Sequence, residues 1–240
     1  MNEYIIETRN LSKKSGKKYR VKNLNLKVPK GIVYGFLGPN GAGKTTTMKL
    51  LLGLIHPNTG KIYIHGKELT HKNRTSLSLL TGSLIENPGF YGHLTGWENL
   101  DMIARYKNLS ETDMEDALKT VHLYERKDEK VKNYSLGMKQ RLGIAMALMG
   151  KPAIMILDEP TNGLDPAGIQ EIRNLITSLP QRFGTTVLIS SHLLSEIEQM
   201  ADYVGIINKG ELIYQGLLSD LETEDSSLEE IFLNMTGGES

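Results

Sequence analysis

A glycine-rich segment that ends in lysine and threonine is the strongest candidate for chemistry in this chain. Residues 38–45 fit the pattern Gly-x4-Gly-Lys-Thr, between an apolar, β-prone run at 32–37 and a helix-compatible run at 48–52. Glycines let the backbone turn its N–H groups inward, and with the positive end of the next helix they form a cradle for phosphate. Lys44 would add a charge at the β/γ-phosphates, and Thr45 a hydroxyl for Mg²⁺. The loop comprises Gly38, Pro39, Asn40, Gly41, Ala42, Gly43, Lys44, Thr45 and Thr46.

Two adjacent acids follow a short apolar run further along the chain. Residues 154–157 read as a buried strand, and Asp158 and Glu159 stand at its end. A carboxylate beside a phosphate loop can hold Mg²⁺ through the water around the ion, which suits Asp158. Glu159 could orient and deprotonate an attacking water. The alternative is a strand end capped by solvated acids. The phosphate loop upstream favours roles in Mg²⁺ binding and water activation instead.

A third stretch, residues 135–140, opens a helical pattern that continues through residue 148. Ser135 is a natural N-cap, and Gly137 allows close approach at the helix N-terminus, where anions bind well. A capped helix with no ligand explains the same residues, and physical reasoning alone does not separate the two interpretations.

The elements that must position these residues alternate between strands and helices, which predicts a mostly parallel sheet with helices on both faces. The region around 87–150 reads as a helical insertion, with a helix start at Ser110. Pro180, near the end of the helix predicted at 167–182, should kink or fray that end. The acidic segment Glu222–Glu230 is a candidate terminal helix. Strands are predicted at 4–9, 21–28, 61–66, 79–85, 152–157, 185–190, 203–207 and 211–214, and further helices at 44–54, 95–123 and 193–200.

Composition limits the function classes. Lys and Arg number 28, as do Asp and Glu, so the balance does not suggest a nucleic-acid-coating surface. The basic residues within 13–20 are interpreted as a solvated hairpin or loop. The absence of cysteine excludes disulfides and thiolate metal sites. The first residues lack the pattern of a secretory signal, and no apolar run approaches the roughly 20 residues of a membrane helix. If the protein works at a membrane, we expect another chain to span it.

Taken together and in order, these motifs resemble those of the ATP-binding subunit of an ABC transporter, over essentially the whole chain. The resemblance rests on 38–45, on 135–140 (SLGMKQ) as the signature, on 157–160 (LDEP) with 161–165 (TNGLD), and on 190–192 (SSH). It implies an α/β P-loop NTPase of the ABC nucleotide-binding type, with a mostly parallel core, an N-terminal antiparallel β subdomain and a helical subdomain. The implied division is a RecA-like core with the β subdomain at 1–86 and 151–215, helices at 87–150 and a tail at 216–240.

The resemblance also implies how such a subunit works. Two copies would pair head to tail as a homodimer, with ATP and Mg²⁺ between the phosphate loop of one and the signature of the other. Ser135, Gly137 and Gln140 would then bind nucleotide across the dimer, and Asp165 would bridge the two sites. His192 would contact the γ-phosphate and steady the water, so both sites should be competent for hydrolysis.

Glu86 departs from the family pattern, which has a glutamine at the end of the strand after the phosphate-loop helix. A carboxylate can still ligate Mg²⁺ or its water, so Glu86 is a candidate catalytic and metal residue, although it adds negative charge beside ATP. A glutamate here resembles lantibiotic self-immunity exporters, and the context at 85–91 (IENPGFY) resembles bacitracin-type exporters. The alternative is a neutral exchange of acid for amide.

The aromatic residue that the family stacks on adenine would fall near Ser15. Tyr19, a few residues further on, is the candidate substitute for adenine stacking.

The function that the resemblance implies is ATP-driven export of a peptide antibiotic through a separate integral-membrane permease, at the cytoplasmic face of the cell membrane. The contact would be at residues 86–100, where exposed Phe90, Tyr91 and Trp97 would meet the permease; ordinary packing of these aromatics is the alternative. The competing cargo is bacitracin or another drug or lipid. A soluble ABC ATPase acting on DNA or ribosomes lacks support, because the chain has no cysteine for a zinc module and no sustained heptads. A small nucleotide kinase would not explain residues 135–140 or His192, and no nucleic-acid partner is expected.

Overall fold

The computed structural model describes residues 4–86, 89–221 and 228–237. Its strands form two sheets, and helices cover both faces of the larger one. The strands are β1 (Tyr4–Ser15), β2 (Lys18–Leu24), β3 (Lys27–Pro29), β4 (Val33–Leu37), β5 (Thr59–Ile64), β6 (Lys67–Glu68), β7 (Thr81–Leu84), β8 (Ile154–Asp158), β9 (Thr186–Ser191), β10 (Tyr203–Asn208) and β11 (Glu211–Leu217). The helices are α1 (Lys44–Leu51), α2 (Arg74–Ser78), α3 (Gly96–Lys107), α4 (Glu111–Thr120), α5 (Leu136–Leu148), α6 (Pro166–Phe183), α7 (Leu194–Glu198) and α8 (Leu228–Thr236).

The larger sheet has the strand order β11-β10-β4-β9-β8-β7. All its pairs are parallel except β10 with the edge strand β11. Strands β4, β8 and β9 are buried at every position, because helices or the second sheet cover both faces. The carboxyl ends of parallel strands lie at one edge, so the segments after β4, β7, β8 and β9 meet there.

The smaller sheet is antiparallel, with β1 paired to β2, β3 and β5. The interior divides into two hydrophobic clusters on opposite faces of the larger sheet. Residues alternate between them along β8: Ile154 and Ile156 face the antiparallel sheet, whereas Met155 and Leu157 face the helices. This period of two follows from strand geometry and fixes which side chains can reach the site.

Helices α3, α4 and α5 lie within the segment interpreted as a helical insertion. Local signals define their starts: Ser110 and Thr95 each cap a helix with a complete capping box, and Ser135 caps α5. Helix α5 approaches β7 so closely that a Cβ on Gly82 would lie 1.9 Å from the carbonyl oxygen of Ala147. The strand therefore requires glycine here, and α5 is fixed against the sheet edge.

The structure corrects several sequence-based expectations. The helical pattern at 95–123 is two helices, because Asn108 ends α3 in the left-handed conformation (φ 55°). Helix α1 ends at Leu51 rather than at residue 54, and the five-residue helix α2 was not foreseen. Helix α6 passes through Pro180 and ends at Phe183, one residue beyond the predicted end, before the Gly184 cap. Strand β11 runs to Leu217, into the predicted tail.

The predicted terminal helix at Glu222–Glu230 falls partly on 222–227, outside the described residues. Helix α8 begins at Leu228. Residues 87 and 88, part of the stretch that resembles bacitracin-type exporters, also lie outside the described residues.

Candidate functional site

The glycine-rich loop lies between β4 and α1, as the sequence predicts. Gly41 (φ 78°) and Gly43 (φ 116°) adopt backbone conformations that favour glycine. A Cβ on Gly43 would lie 2.4 Å from the carbonyl oxygen of Arg20, so this glycine is also required for packing against β2. A Cβ on Gly41 would meet nothing within 4 Å, so the loop is open to a ligand on that side. The loop therefore offers backbone N–H groups and the N-terminus of α1 to an anion.

Lys44 is buried and held at the centre of the loop. Its Nζ donates to the carbonyl oxygen of Gly38 at 2.7 Å and of Pro39 at 3.3 Å, and lies 3.4 Å from Oε1 of Glu159. Burial lowers the pKa of Lys44 from 10.5, and the Glu159 carboxylate opposes this shift. The ammonium group is thus positioned beside both the loop and an acid that could act on water.

Thr45 and Asp158 lie in direct contact. Thr45 Oγ1 donates to Oδ2 of Asp158 at 2.7 Å, and Ser190 Oγ donates to Oδ1 at 2.5 Å. Asp158 pairs with Ser190 in the β8–β9 register, which explains the second bond. A hydroxyl and a carboxylate that converge next to a phosphate loop are hard oxygen ligands of the kind Mg²⁺ takes together with phosphate and water. The pair therefore fits the predicted metal role.

Glu159 and His192 also lie together: Nδ1 of His192 is 2.7 Å from Oε2 of Glu159. The backbone of Glu159 is left-handed (φ 48°), and its N–H donates to Ser190 Oγ at 3.0 Å. A strained backbone of this kind persists only where its surroundings hold it, and such positions cluster at functional sites. The two predicted catalytic residues are thus brought together by the ends of β8 and β9.

Glu86, in contrast, contacts Lys49. Its Oε1 lies 2.7 Å from Lys49 Nζ, and 62% of its side chain is exposed. Lys49 is one helical turn beyond Thr45 on α1. Sequence analysis did not consider this lysine, which balances the charge of Glu86. Its backbone is left-handed (φ 58°). Ligation of Mg²⁺ by Glu86 stays a prediction.

The signature residues lie at the N-terminus of α5. Ser135 is exposed and accepts a hydrogen bond from the N–H of Met138 at 3.2 Å. A Cβ on Gly137 would meet only Leu164, at 3.9 Å, so the helix start is accessible next to the 161–165 segment. Gln140 is buried, and its Oε1 has no hydrogen-bond partner among the described residues. Ser135 and Gly137 can therefore meet a ligand outside this subunit, whereas Gln140 faces the interior.

Asp165 is exposed and has a structural role. It caps α6, accepting a hydrogen bond from the N–H of Gly168 at 2.9 Å, and Pro166 follows at the first helical position. Bridging of two sites by Asp165 stays a prediction.

Tyr19 lies beside the phosphate loop in a cavity of about 610 Å³. The loop residues 39–42 and His192 line the same cavity. The Tyr19 side chain is 40% exposed, and the ammonium of Lys14 lies 4.5 Å from its ring centroid. Tyr19 is therefore in the position that a residue contacting the base of a nucleotide would need.

Of the three aromatics predicted to be exposed, only Tyr91 is, at 54%. Phe90 and Trp97 are half-buried against the hydrophobic cluster on the helix-covered face of the larger sheet, and Lys127 lies over the Trp97 ring. The prediction that these two side chains are exposed was therefore wrong. Buried Asn99 holds Tyr91 at the start of the helical region: it accepts from the N–H of Tyr91 at 2.8 Å and donates to the carbonyl oxygens of Tyr91 and Thr95.

Sequence reasoning missed a buried connection behind His192. One oxygen of Glu196 accepts hydrogen bonds from Thr161 Oγ1 at 2.9 Å and Ser191 Oγ at 2.8 Å. All three side chains are buried, and they join the loop after Glu159 to the residue before His192. The spacing of Glu196 four residues after His192 was the available signal, but a single acid on a short helix indicates nothing specific.

Among the residues that the structure describes, no group of three or more His, Cys, Asp or Glu side chains could enclose a metal ion. Across the same residues, none of the helices combines the length and apolar character required to cross a bilayer.

Comparison with known proteins identifies the family. A family model described as ABC transporter matches residues 21–162. The bacitracin transport ATP-binding protein BcrA of Enterococcus faecalis is 50% identical over 220 residues, which are 91% of this chain and 71% of that protein. The lantibiotic transport ATP-binding protein SrtF of Streptococcus pyogenes is 42% identical over 230 residues, 96% of each.

Solved structures of ATP-binding subunits resemble this fold over most of the chain. The ATP-binding subunit of an ABC transporter superposes with a TM-score of 0.86 at 29% identity, covering 97% of this chain and 99% of that one. The dimeric post-hydrolysis state of the ATP-binding cassette MJ0796, bound to ADP and Pi, gives 0.80 at 25% identity, covering 89% and 98%. This chain belongs to the ABC transporter family, as one of its ATP-binding, ATP-hydrolysing subunits.

Proposed function

We propose that this chain supplies ATP-driven force for the export of a peptide antibiotic, working as a homodimer with a separate membrane permease. The observation that carries the hydrolytic part is Glu159, whose two carboxylate oxygens face Lys44 and His192 beside the phosphate loop. The cargo class rests on similarity to proteins named for bacitracin and lantibiotic transport.

The residues would divide the work as follows. Lys44 and the backbone N–H groups of the glycine-rich loop would bind the phosphates, and Glu159 would accept a proton from the attacking water. His192 holds the Glu159 carboxylate in place, and it would contact the γ-phosphate. Thr45 and Asp158 would hold Mg²⁺, with Glu86 near them; the ion would neutralise charge on the β- and γ-phosphates.

Ser135 and Gly137 would complete the site across a head-to-tail dimer. Ser135 is exposed at the start of α5, and within the described residues its side chain bonds only inside its own segment. A Cβ on Gly137 would meet only Leu164, which leaves room for a ligand there. Asp165, exposed beside them, would bridge the two sites, and buried Gln140 would support the signature from inside α5.

The chain would divide into a core at 1–86 and 151–215, a helical subdomain at 87–150 and a tail at 216–240. The helical subdomain would transmit closure of the dimer to the permease. Tyr91 is exposed at its start, and on α3 Met102 and Tyr106 are 37% and 69% exposed. These two are four residues apart and share one helical face, which offers an apolar contact for a membrane subunit at the cytoplasmic face.

A survival assay tests the proposal. Cells would carry the protein with its neighbouring membrane subunits and be challenged with a panel of lantibiotics and with bacitracin. The variant is Glu159→Gln, and the matched control is Glu115→Gln, a partly exposed acid paired with Lys119 on α4. Protection from a lantibiotic that Glu159→Gln abolishes and Glu115→Gln retains is expected.

The other outcomes of the survival assay would point to a different cargo. Protection from bacitracin alone would favour the alternative cargo, to which the higher identity of the bacitracin relative points. No protection against any member of the panel would remove the peptide-antibiotic assignment and leave the ATPase with another cargo.

A further inference from the structure

The cavity beside the phosphate loop has a wall that no motif accounts for. Tyr19, on β2, and loop residues 39–42 line part of it, and Phe232, Leu233 and Thr236 of helix α8 line another part. Helix α8 lies nearly 200 residues after this loop in the sequence, yet both line the same cavity.

Helix α8 is attached to the body of the protein at this place. Nδ2 of Asn208, at the end of β10, donates a hydrogen bond to the carbonyl oxygen of Thr236 at 2.9 Å. Leu228, Ile231 and Phe232 pack against the hydrophobic cluster on the helix-covered face of the larger sheet. The helix therefore borders the cavity through contacts with the sheet that carries the phosphate loop.

The chemistry of the walls is that of a nucleoside site. An aromatic ring on β2 and an aromatic and an aliphatic side chain on α8 provide apolar surface for a planar base. Three exposed cations, Lys18, Arg20 and Lys209, line the same cavity and match the negative charge of a nucleotide. Tyr19 is 40% exposed, so its ring is accessible from the cavity.

We propose that α8 is part of the nucleotide site: Phe232 contacts the base or ribose of the bound nucleotide, and Tyr19 contacts it from β2. This inference rests on the proposed function, since it takes ATP as the ligand of the loop. It gives the C-terminal helix a role in nucleotide affinity that is separate from the phosphate-binding residues.

The test separates base contacts from phosphate contacts. Binding of ADP and of inorganic pyrophosphate, each with Mg²⁺, would be measured by calorimetry on the full chain, because neither requires hydrolysis. Phe232→Ala and Tyr19→Ala should each weaken ADP binding about tenfold, the usual effect of removing an aromatic contact to a base. Pyrophosphate binding should stay within about twofold, because it has no base to lose.

Met235→Ala is the matched control, since Met235 is exposed on α8 and is not among the lining residues. It should leave both affinities unchanged. Phe232→Leu keeps an apolar side chain for packing and should still weaken ADP binding, which guards against misfolding of the alanine variant.

Three results would overturn the inference. ADP affinity that Phe232→Ala does not change would exclude α8 from the site. Equal losses for ADP and pyrophosphate would mean that α8 only supports the phosphate loop. A wild-type protein that bound neither ligand would refute the proposed function itself, and the role of α8 with it.

Discussion

Nδ1 of His192 lies 2.7 Å from Oε2 of Glu159, and the two residues come from the ends of neighbouring parallel strands. The other carboxylate oxygen of Glu159 lies 3.4 Å from the ammonium of Lys44. One acid thus contacts both the histidine and the phosphate-loop lysine. Such an acid is well placed to accept a proton from water that attacks a phosphate held by Lys44.

Glu159→Gln should lower ATP hydrolysis at least about 100-fold, because an amide cannot accept the proton from water. ATP binding should persist, since Lys44 and the loop backbone remain. Phosphate release and equilibrium binding of ATP would be measured on the same preparation. A variant that hydrolysed ATP at more than a tenth of the wild-type rate would contradict the role, and Glu115→Gln serves as the control.

Glu86→Gln removes the ion pair with Lys49. Glu86 is largely exposed and Lys49 partly so, and the free energy of unfolding should therefore change by less than about 1 kcal/mol. If Glu86 serves Mg²⁺, the Mg²⁺ concentration for half-maximal ATPase activity should rise in Glu86→Gln.

Lys49→Gln is the matched comparison, because it frees the Glu86 carboxylate without removing it. It should leave that Mg²⁺ concentration unchanged or lower it. Equal Mg²⁺ dependence in wild type and Glu86→Gln would identify the acid as a neutral replacement for the family's glutamine.

Glu196→Ala should reduce kcat about tenfold or more with little change in KM, because it releases Thr161 and Ser191 and lets His192 shift. Glu196→Gln should retain most activity, since one amide oxygen can still accept both hydroxyl protons. Steady-state ATPase kinetics on both variants would be compared. Equal defects in the two, or a rise in KM alone, would argue against a positioning role.

Asn99→Ala should lower the free energy of unfolding by about 2–4 kcal/mol. It removes the three hydrogen bonds of the buried Asn99 side chain, each worth about 0.5–1.5 kcal/mol, including the one that pairs the N–H of Tyr91. Urea unfolding would measure the loss. Asn174→Ala, at an exposed position on α6, is the control. If Asn99→Ala lowered the free energy of unfolding by less than about 0.5 kcal/mol, the hydrogen bonds of Asn99 would contribute little to stability.

Local signals in the sequence were sufficient for much of the fold. Ser110 and Ser135 begin helices as expected, because capping depends on residues within one turn. The apolar runs that precede Gly38, Asp158 and His192 form the predicted parallel strands. Helix α2 was missed because five residues carry too little periodicity to be recognised.

The sequence by itself determined the phosphate loop, the acids at the end of β8 and the histidine after β9, since each motif is contiguous and its chemistry is set by residue type. Only the tertiary structure decided which side chains meet. It joined Glu86 to Lys49, Glu196 to Thr161, and α8 to the cavity at Tyr19. These contacts depend on how distant elements pack, and packing is the sum of many weak interactions along the whole chain that no local pattern records.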